Sequence, residues 1–237
     1  MKSWAEDLLS SLEDAQDELQ IFQKIEKAAA ALGFDFVAHG MRLPLPLSNP
    51  RTFIQSNYPD AWRERYLAAG YLETDPSVLH GRQSQAPLVW SREAFQNAPQ
   101  LWEEANDFGL RVGWAQSSLD AQGVGSMLTL ARSGEPLTPE ELAGKEFRMR
   151  WLVNMTHLAL ASLHKSEMRK YATTSLTARE IEILKWTGDG KTSGEISDIL
   201  AVSENTVNFH IKNAVAKLQT ANKTAAVVRA AMMGLLN

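Results

Sequence analysis

The sequence predicts an α/β N-terminal domain, a helix-sheet-helix sandwich built on an antiparallel sheet, followed by an all-α C-terminal domain of four helices. Three observations predict this. Short strand-like stretches bounded by Gly, Pro or Asn alternate with helical patterns over the first 170 residues. From residue 176 onward the pattern is helical throughout. Between them lies "KSEMRKYATTS" (165–175), charged and small residues that suit a linker. With 44% hydrophobic residues in 237, both parts can bury a core of their own.

Taken in order, "DELQIFQKIEKAAAAL" (17–32) spaces apolar residues by three and four, as an amphipathic helix does. "FDFVAHGMRL" (34–43), "RTFIQSN" (51–57), "VGWAQSSL" (112–119) and "GSMLTLARS" (125–133) read as strands. Helical pieces are expected over 59–69, 77–84 and 99–108, and a last helix over 139–168. Strands flanked by helices at both ends imply layers of helix, sheet and helix. The expected boundaries are 1–166 for the first domain, 167–175 for the linker and 176–237 for the second. There, "LTAREIEILKWTGDG" opens on Thr177 with Glu180 three residues on, a capping box, and closes on Gly188 and Gly190. "TSGEISDILA" (192–201), "SENTVNFHIKNAVAKLQ" (203–219) and "KTAAVVRAAMMGLL" (223–236) supply three more helices, and "AVS" between the second and third is the tight turn of a helix-turn-helix.

Composition excludes several classes. The absence of cysteine removes disulfides, thiolate nucleophiles and most structural zinc sites. The five histidines, His39, His80, His157, His164 and His210, lack metal-ligand spacing, so neither metal nor cofactor is expected. "GVGSML" lacks the flanks of a nucleophile elbow, and no acid or base partner accompanies its serine. No apolar run approaches the roughly 18–20 residues of a membrane span, and the acidic start is no secretion signal, so a cytoplasmic location with no membrane association is expected. The net charge of −4 is uneven: residues 1–170 carry 17 Lys and Arg against 22 Asp and Glu, and residues 171–237 carry 7 against 6.

On a helical wheel Val207, Ile211, Ala214 and Leu218 fall within about 40° of Val207, and Asn205, Asn208, Phe209 and Lys212 occupy the opposite half. One face packs; the other is a solvated surface or a DNA-reading one. Asn can bond both N6 and N7 of adenine and Lys can reach guanine O6 and N7, and Ser203 caps the helix where a phosphate would be favoured. Residues 176–236 resemble the DNA-binding domain of LuxR-type transcription regulators, through Glu180, Leu184, Gly190, "GKTSGEI" and "TVNFH" with the later Asn and "KL". The resemblance implies that the third helix enters the major groove of a two-fold symmetric site as part of a homodimer. Asn208 and Lys212, with Asn205, are then base-contact candidates. Lys191, Thr192, Ser203 and Thr206 become phosphate contacts, which position without reading sequence. Lys217 and Lys223 would add charge.

In the first domain, Tyr58, Trp62 and Tyr66 recur every four residues and line one helix face, and Asp75 precedes Pro76 at the start of another helix. Two readings stand: ordinary aromatic core with Asp75 as an N-cap, or a small-molecule pocket of converging donors, one acceptor and aromatic walls. Over about 20–165 the chain resembles the acyl-homoserine-lactone-binding domain of LuxR-type quorum-sensing receptors, at Trp62, Tyr66, Asp75, Pro76, Trp90 and Gly113. By that resemblance Trp62 donates to the lactone carbonyl, Asp75 accepts from the ligand amide N–H, and Tyr58 with Thr129 bonds the amide carbonyl. Tyr66, Trp90, Trp102 and Leu110 wall the head group. Val78 joins the lining, with Met127, Ala38, Gly40 and Arg42 near the acyl chain, the last three sharing a strand face with Phe36. Ala115 is a departure, since some relatives carry a hydroxyl there. The expectation is a non-enzymatic, lactone-responsive transcription regulator whose partners are double-stranded DNA, a second copy of itself and RNA polymerase. A lactone-hydrolysing enzyme and a pure dimerisation module are the competing classes.

Overall fold

The computed structural model describes residues 4–15, 17–169 and 175–236, with backbone alone over 165–169. The chain forms two compact units, one of Met1–Arg42, Thr52–Leu119 and Gly125–Leu163, the other of Leu43–Arg51, Asp120–Val124 and His164–Asn237.

The first unit holds helices α1 (Trp4–Glu13) and α2 (Glu18–Ala31), strands β1 (Phe36–Arg42) and β2 (Thr52–Ser56), and helix α3 (Asp60–Ala68). A 3-10 turn (Tyr71–Glu73), α4 (Pro76–Gln83), β3 (Leu88–Val89), α5 (Pro99–Asp107), β4 (Val112–Leu119), β5 (Gly125–Arg132) and α6 (Pro139–Arg169), whose residues beyond Leu163 fall to the other unit, follow. The sheet runs β2-β1-β5-β4-β3 and every pair is antiparallel. Alternation gives it two unlike faces. On the back, Val37, Met41, Trp114, Leu128 and Leu130 are buried, as are Ile21, Phe22 and Ile25 of α2 and Met149, Leu152 and Val153 of α6. Ser126 on that face meets His157 of α6 at 2.7 Å. On the front, Phe36, Ala38 and Gly40 are only half-buried, although β1 is an interior strand. The helix-sheet-helix sandwich is thus dense behind the sheet and looser before it.

The four long strands and the α2 to α6 pattern match the sequence expectation. The reading had no place for α1, β3 or the 3-10 turn: α1 lies in a segment read only for its acidity, and β3 is two residues long. The expected linker is helical as far as Arg169, and its residues 170–174 lie outside those described.

The second unit carries α7 (Ala178–Gly188), α8 (Ser193–Leu200), α9 (Glu204–Lys217) and α10 (Lys223–Met232). Each begins with a side-chain cap, from Thr177, Thr192, Ser203 and Asn222, the first two being complete capping boxes. Ala201, in the left-handed region at φ 52°, turns the chain between α8 and α9. Ile183, Ile196 and Val207 form one buried cluster and Leu184, Ala214, Leu218, Ala226 and Ala230 the other, so the stripe on α9 is core. The last helix stops at Met232, short of the expected 236, because Gly234 takes a positive φ.

Candidate functional site

On the front of the sheet α3 presents Trp62, buried to 2% exposure, edge-on to Tyr66 at 5.8 Å between centroids. The spacing by four puts both rings on one side of the helix. Gly70, in the left-handed region, ends that run and lets Tyr71 fold back to within 5.8 Å of Tyr66 and 6.2 Å of Trp62. Tyr58, Trp90, Trp102 and Leu110 belong to the same cluster, with Phe95 and Phe108. The sequence reading missed Tyr71, Phe95 and Phe108; Tyr71 carried a signal, as the next aromatic after 58, 62 and 66.

Asp75 is buried within reach of this cluster. One carboxylate oxygen accepts from the Ser77 N–H at 2.7 Å, capping α4; the other accepts from the Tyr66 hydroxyl at 2.9 Å. Cap and polar centre are therefore the same residue. Burial pushes its pKa above the ordinary range, against the opposing hydrogen bonds from Tyr66 and Ser77. Burial, reinforced by the charge of Asp75, also pushes the Tyr58 and Tyr66 hydroxyls far up, so both remain donors.

Trp90 stacks on β4 because residue 113 has no side chain. A β-carbon there would overlap the indole, with Cδ2, Cε3 and Cε2 all within 2.6 Å. The Trp90 N–H donates to the Gly113 carbonyl at 2.8 Å through the backbone, whereas its indole Nε1 is buried without a partner among the described residues. Outside the cluster, the two nitrogens of Arg65 on α3 reach both oxygens of Glu104 on α5 at 2.7 Å, and Tyr71 and Gln100 each add a bond at 2.9 Å. The Arg65 bonds first, then Gln100, hold Glu104 down to about 2. The clamp ties the helix bearing Trp62 to the one bearing Trp102.

The sheet beneath is laid out in rungs. Phe36, Ala131 and Gly113 share the first, Ala38, Thr129 and Ala115 the second, and Gly40, Met127 and Ser117 the third. The aromatic cluster reaches the first rung through Phe36 and Ala131. Val78 is half-buried on α4, one turn from Asp75, and Arg42 is exposed at the end of β1. The geometry offers a carboxylate acceptor, phenol and indole donors, aromatic walls and a strip of small apolar surface leading away. It suits an amphiphile with a compact polar head. Among the described residues no group of His, Asp and Glu is placed to hold a metal, and no helix is long and apolar enough to cross a membrane.

In the second unit, Asn205, Asn208, Phe209 and Lys212 are exposed on α9, opposite the buried stripe. The Asn208 side-chain oxygen Oδ1 accepts from the Ser193 hydroxyl of α8 at 2.8 Å. The Ser203 hydroxyl accepts from Thr206 N–H at 3.1 Å and meets the Thr206 hydroxyl at 2.8 Å, while the Thr192 hydroxyl donates to Glu195 at 2.9 Å. Lys191 is half-buried beside that cap. Lys217 does not add charge to this face as expected: its ammonium lies 2.8 Å from the Glu180 carboxylate, which is 2% exposed.

A sensor fold with a polar and aromatic site, on the same chain as a four-helix unit presenting an amide-lined helix, is the arrangement of a ligand-responsive transcription regulator. Residues 17–160 match the family described as the autoinducer binding domain, and residues 174–230 match the luxR family of bacterial regulatory proteins. The transcriptional activator protein AnoR of Acinetobacter nosocomialis is 44% identical over 238 residues, covering 100% of both chains. The quorum-sensing regulator RhlR of Pseudomonas aeruginosa is 38% identical over 98% of this chain and 96% of its own. Among solved structures, Escherichia coli SdiA superposes with a TM-score of 0.78 at 33% identity, covering 99% of this chain and 98% of that one. SdiA in complex with octanoyl-rac-glycerol gives 0.79 at 33% identity, covering 100% and 99%. The chain belongs to the LuxR family: it is an autoinducer-binding transcription regulator with a DNA-binding helix-turn-helix, and not an enzyme.

Proposed function

We propose that the autoinducer is an N-acyl-homoserine lactone, bound in a domain formed by residues 1–166, and that the liganded protein binds a two-fold symmetric operator as a homodimer. The observation that carries this reading is the buried Asp75 carboxylate facing the Tyr66 hydroxyl amid Trp62, Tyr58 and Trp90. A carboxylate so placed wants a further N–H, which the ligand amide supplies. Trp62 donates to the lactone carbonyl and Tyr58 with Thr129 to the amide carbonyl. Tyr66, Trp90, Trp102 and Leu110 enclose the head group. The acyl chain runs past Val78 along Ala38, Gly40 and Met127, with Arg42 at the rim. Ligand binding stabilises the fold by mass action.

On DNA, Asn208 and Lys212, helped by Asn205, read base edges, and Lys191, Thr192, Ser203 and Thr206 contact phosphates. Residues 167–175 act as the linker, and the protein works in the cytoplasm with RNA polymerase as a further partner. The 7 basic and 6 acidic residues of 171–237 make one copy a weak polyanion binder, so affinity is expected to come from the pair. Extracting the protein purified from cells grown with and without lactones, and weighing the extract by mass spectrometry, tests the ligand. A protein that folds, binds DNA and releases no lactone in either case sinks the assignment. A second reading, an acylglycerol, is favoured by the SdiA complex with octanoyl-rac-glycerol. There a glycerol hydroxyl would take the place of the amide N–H at Asp75, and the same extract distinguishes the two by mass.

A further inference from the structure

The third rung of the front face is asymmetric about Met127. On one side helix α4 comes down at Gly81: a β-carbon there would stand 3.1 Å from Met127 Sδ, 3.8 Å from its Cγ and 3.4 Å from Ser117 Cβ. The thioether therefore fills the gap between helix and sheet, and a side chain at residue 81 would press on it by a few tenths of an ångström. On the other side a β-carbon at Gly40, the β1 partner of Met127, would meet nothing within 4 Å. An open lane runs along β1 next to a methionine parked against α4.

The helix is pinned at both ends of this stretch. Its start is capped by Asp75, and beyond its last turn the Ser84 carbonyl accepts from the Ser117 hydroxyl at 2.7 Å. That bond also occupies the one hydroxyl on the third rung, so the strip past Thr129 is apolar in function. An unbranched thioether with three rotatable bonds adapts readily to its surroundings. With α4 fixed on one side, the room available to Met127 is over Gly40.

We propose that Met127 is a movable stop that sets the acyl-chain length the site accepts: against Gly81 it leaves the lane over Gly40 open to long chains, and over Gly40 it closes that lane. The proposal rests on the lactone-receptor reading and names the residues that tune it. The space at Gly81 holds the stop in its open position. In the wild-type protein each further methylene buried along the lane then raises affinity, by about fourfold for a fully buried one.

The test measures binding of butanoyl-, hexanoyl-, octanoyl-, decanoyl- and dodecanoyl-homoserine lactone to the full-length protein, by titration calorimetry and by ligand-induced rise in melting temperature. Gly81→Ala crowds the thioether and biases it toward Gly40, and is expected to lower affinity for the longest chains by about tenfold or more while sparing the shortest. Gly40→Val blocks the lane directly and gives the same profile, keeping the test open should Gly81→Ala fold poorly. In a Met127→Ala background Gly81→Ala loses its effect, since nothing remains to be displaced. Identical chain-length profiles for the wild type and both glycine variants overturn the movable stop while leaving the receptor intact. Failure of every lactone to bind the folded wild type overturns the receptor reading and this inference with it.

Discussion

Replacing Asp75 by asparagine separates the two roles of its carboxylate. One oxygen caps α4 at 2.7 Å from Ser77 N, and the other accepts from Tyr66 at 2.9 Å. Asparagine caps about as well as aspartate, so the start of α4 is kept. An NH2 group then stands where the second oxygen was, leaving the Tyr66 hydroxyl and the ligand amide N–H without an acceptor. Orphaning a buried donor costs about 1–3 kcal/mol, which sets the expected loss of unliganded stability. Relief of the buried charge places it toward the lower end. Losing a hydrogen bond to a charged acceptor should weaken ligand affinity by about 1.5–3 kcal/mol, or roughly 10- to 150-fold. Asp75→Ala also removes the cap, about 1 kcal/mol more.

The assay is thermal melting of both variants with and without lactone, beside a reporter dose response. An undiminished dose response in Asp75→Asn refutes the ligand role, and equal destabilisation by Asn and Ala refutes the separation of roles. The pH dependence has a definite sign. Burial raises the folded pKa of Asp75, so its contribution is fully present below the usual carboxylate range and is lost as pH rises through the raised value. Asp75→Asn should remove that part of the unliganded stability profile.

Three further outcomes are expected. Gly113→Ala forces a β-carbon into the Trp90 indole and should destabilise the protein by about 1–3 kcal/mol in chemical denaturation, with a change in tryptophan emission; a wild-type spectrum and midpoint would contradict the packing. Glu141, held down to about 2 first by its bonds from Arg132 and then from Lys145, contributes stability that is present above pH 4.5 and lost as pH falls toward 2. Glu141→Gln should therefore flatten acid unfolding across that window, and an unchanged acid profile counts against the network. Lys191→Ala, which removes a phosphate contact, should reduce the salt dependence of operator binding by about one unit of slope per subunit. Lys217→Met should leave that slope alone but lower the melting temperature by stranding the Glu180 carboxylate; the opposite pattern would mean that Lys217 faces DNA.

Much of this was legible because it is local. Capping boxes at Thr177 and Thr192 are written in four residues, and the strands β1, β4 and β5 in short stretches bounded by Gly, Pro or Asn. The spacing of Trp62 and Tyr66 and the Asp-Pro at the start of α4 likewise mark themselves. Tyr58, expected on the same helix face, instead precedes α3, which starts only at Asp60, and joins the cluster from the loop. Pairings across the chain do not. Arg65 and Glu104 are 39 residues apart, and nothing around either indicates the other. Gly113 could be named as a position of note, but its reason, the flat indole of Trp90, appears only once β3 and β4 are paired. Lys217 reads as one more cation for the polyanion until the fold brings it to Glu180, which the sequence marks only as a cap.

That last pairing couples two distant ends of the helix-turn-helix unit. Glu180 accepts from the Thr177 N–H at 2.7 Å and from Lys217, in the last turn of α9, at 2.8 Å. The N-cap of α7 and the last turn of α9 thus hang on one carboxylate. Both bonds end on the same oxygen of Glu180, so the cap of α7 and the ion pair of α9 share one acceptor. One carboxylate therefore serves as a shared anchor for the start of α7 and the end of α9.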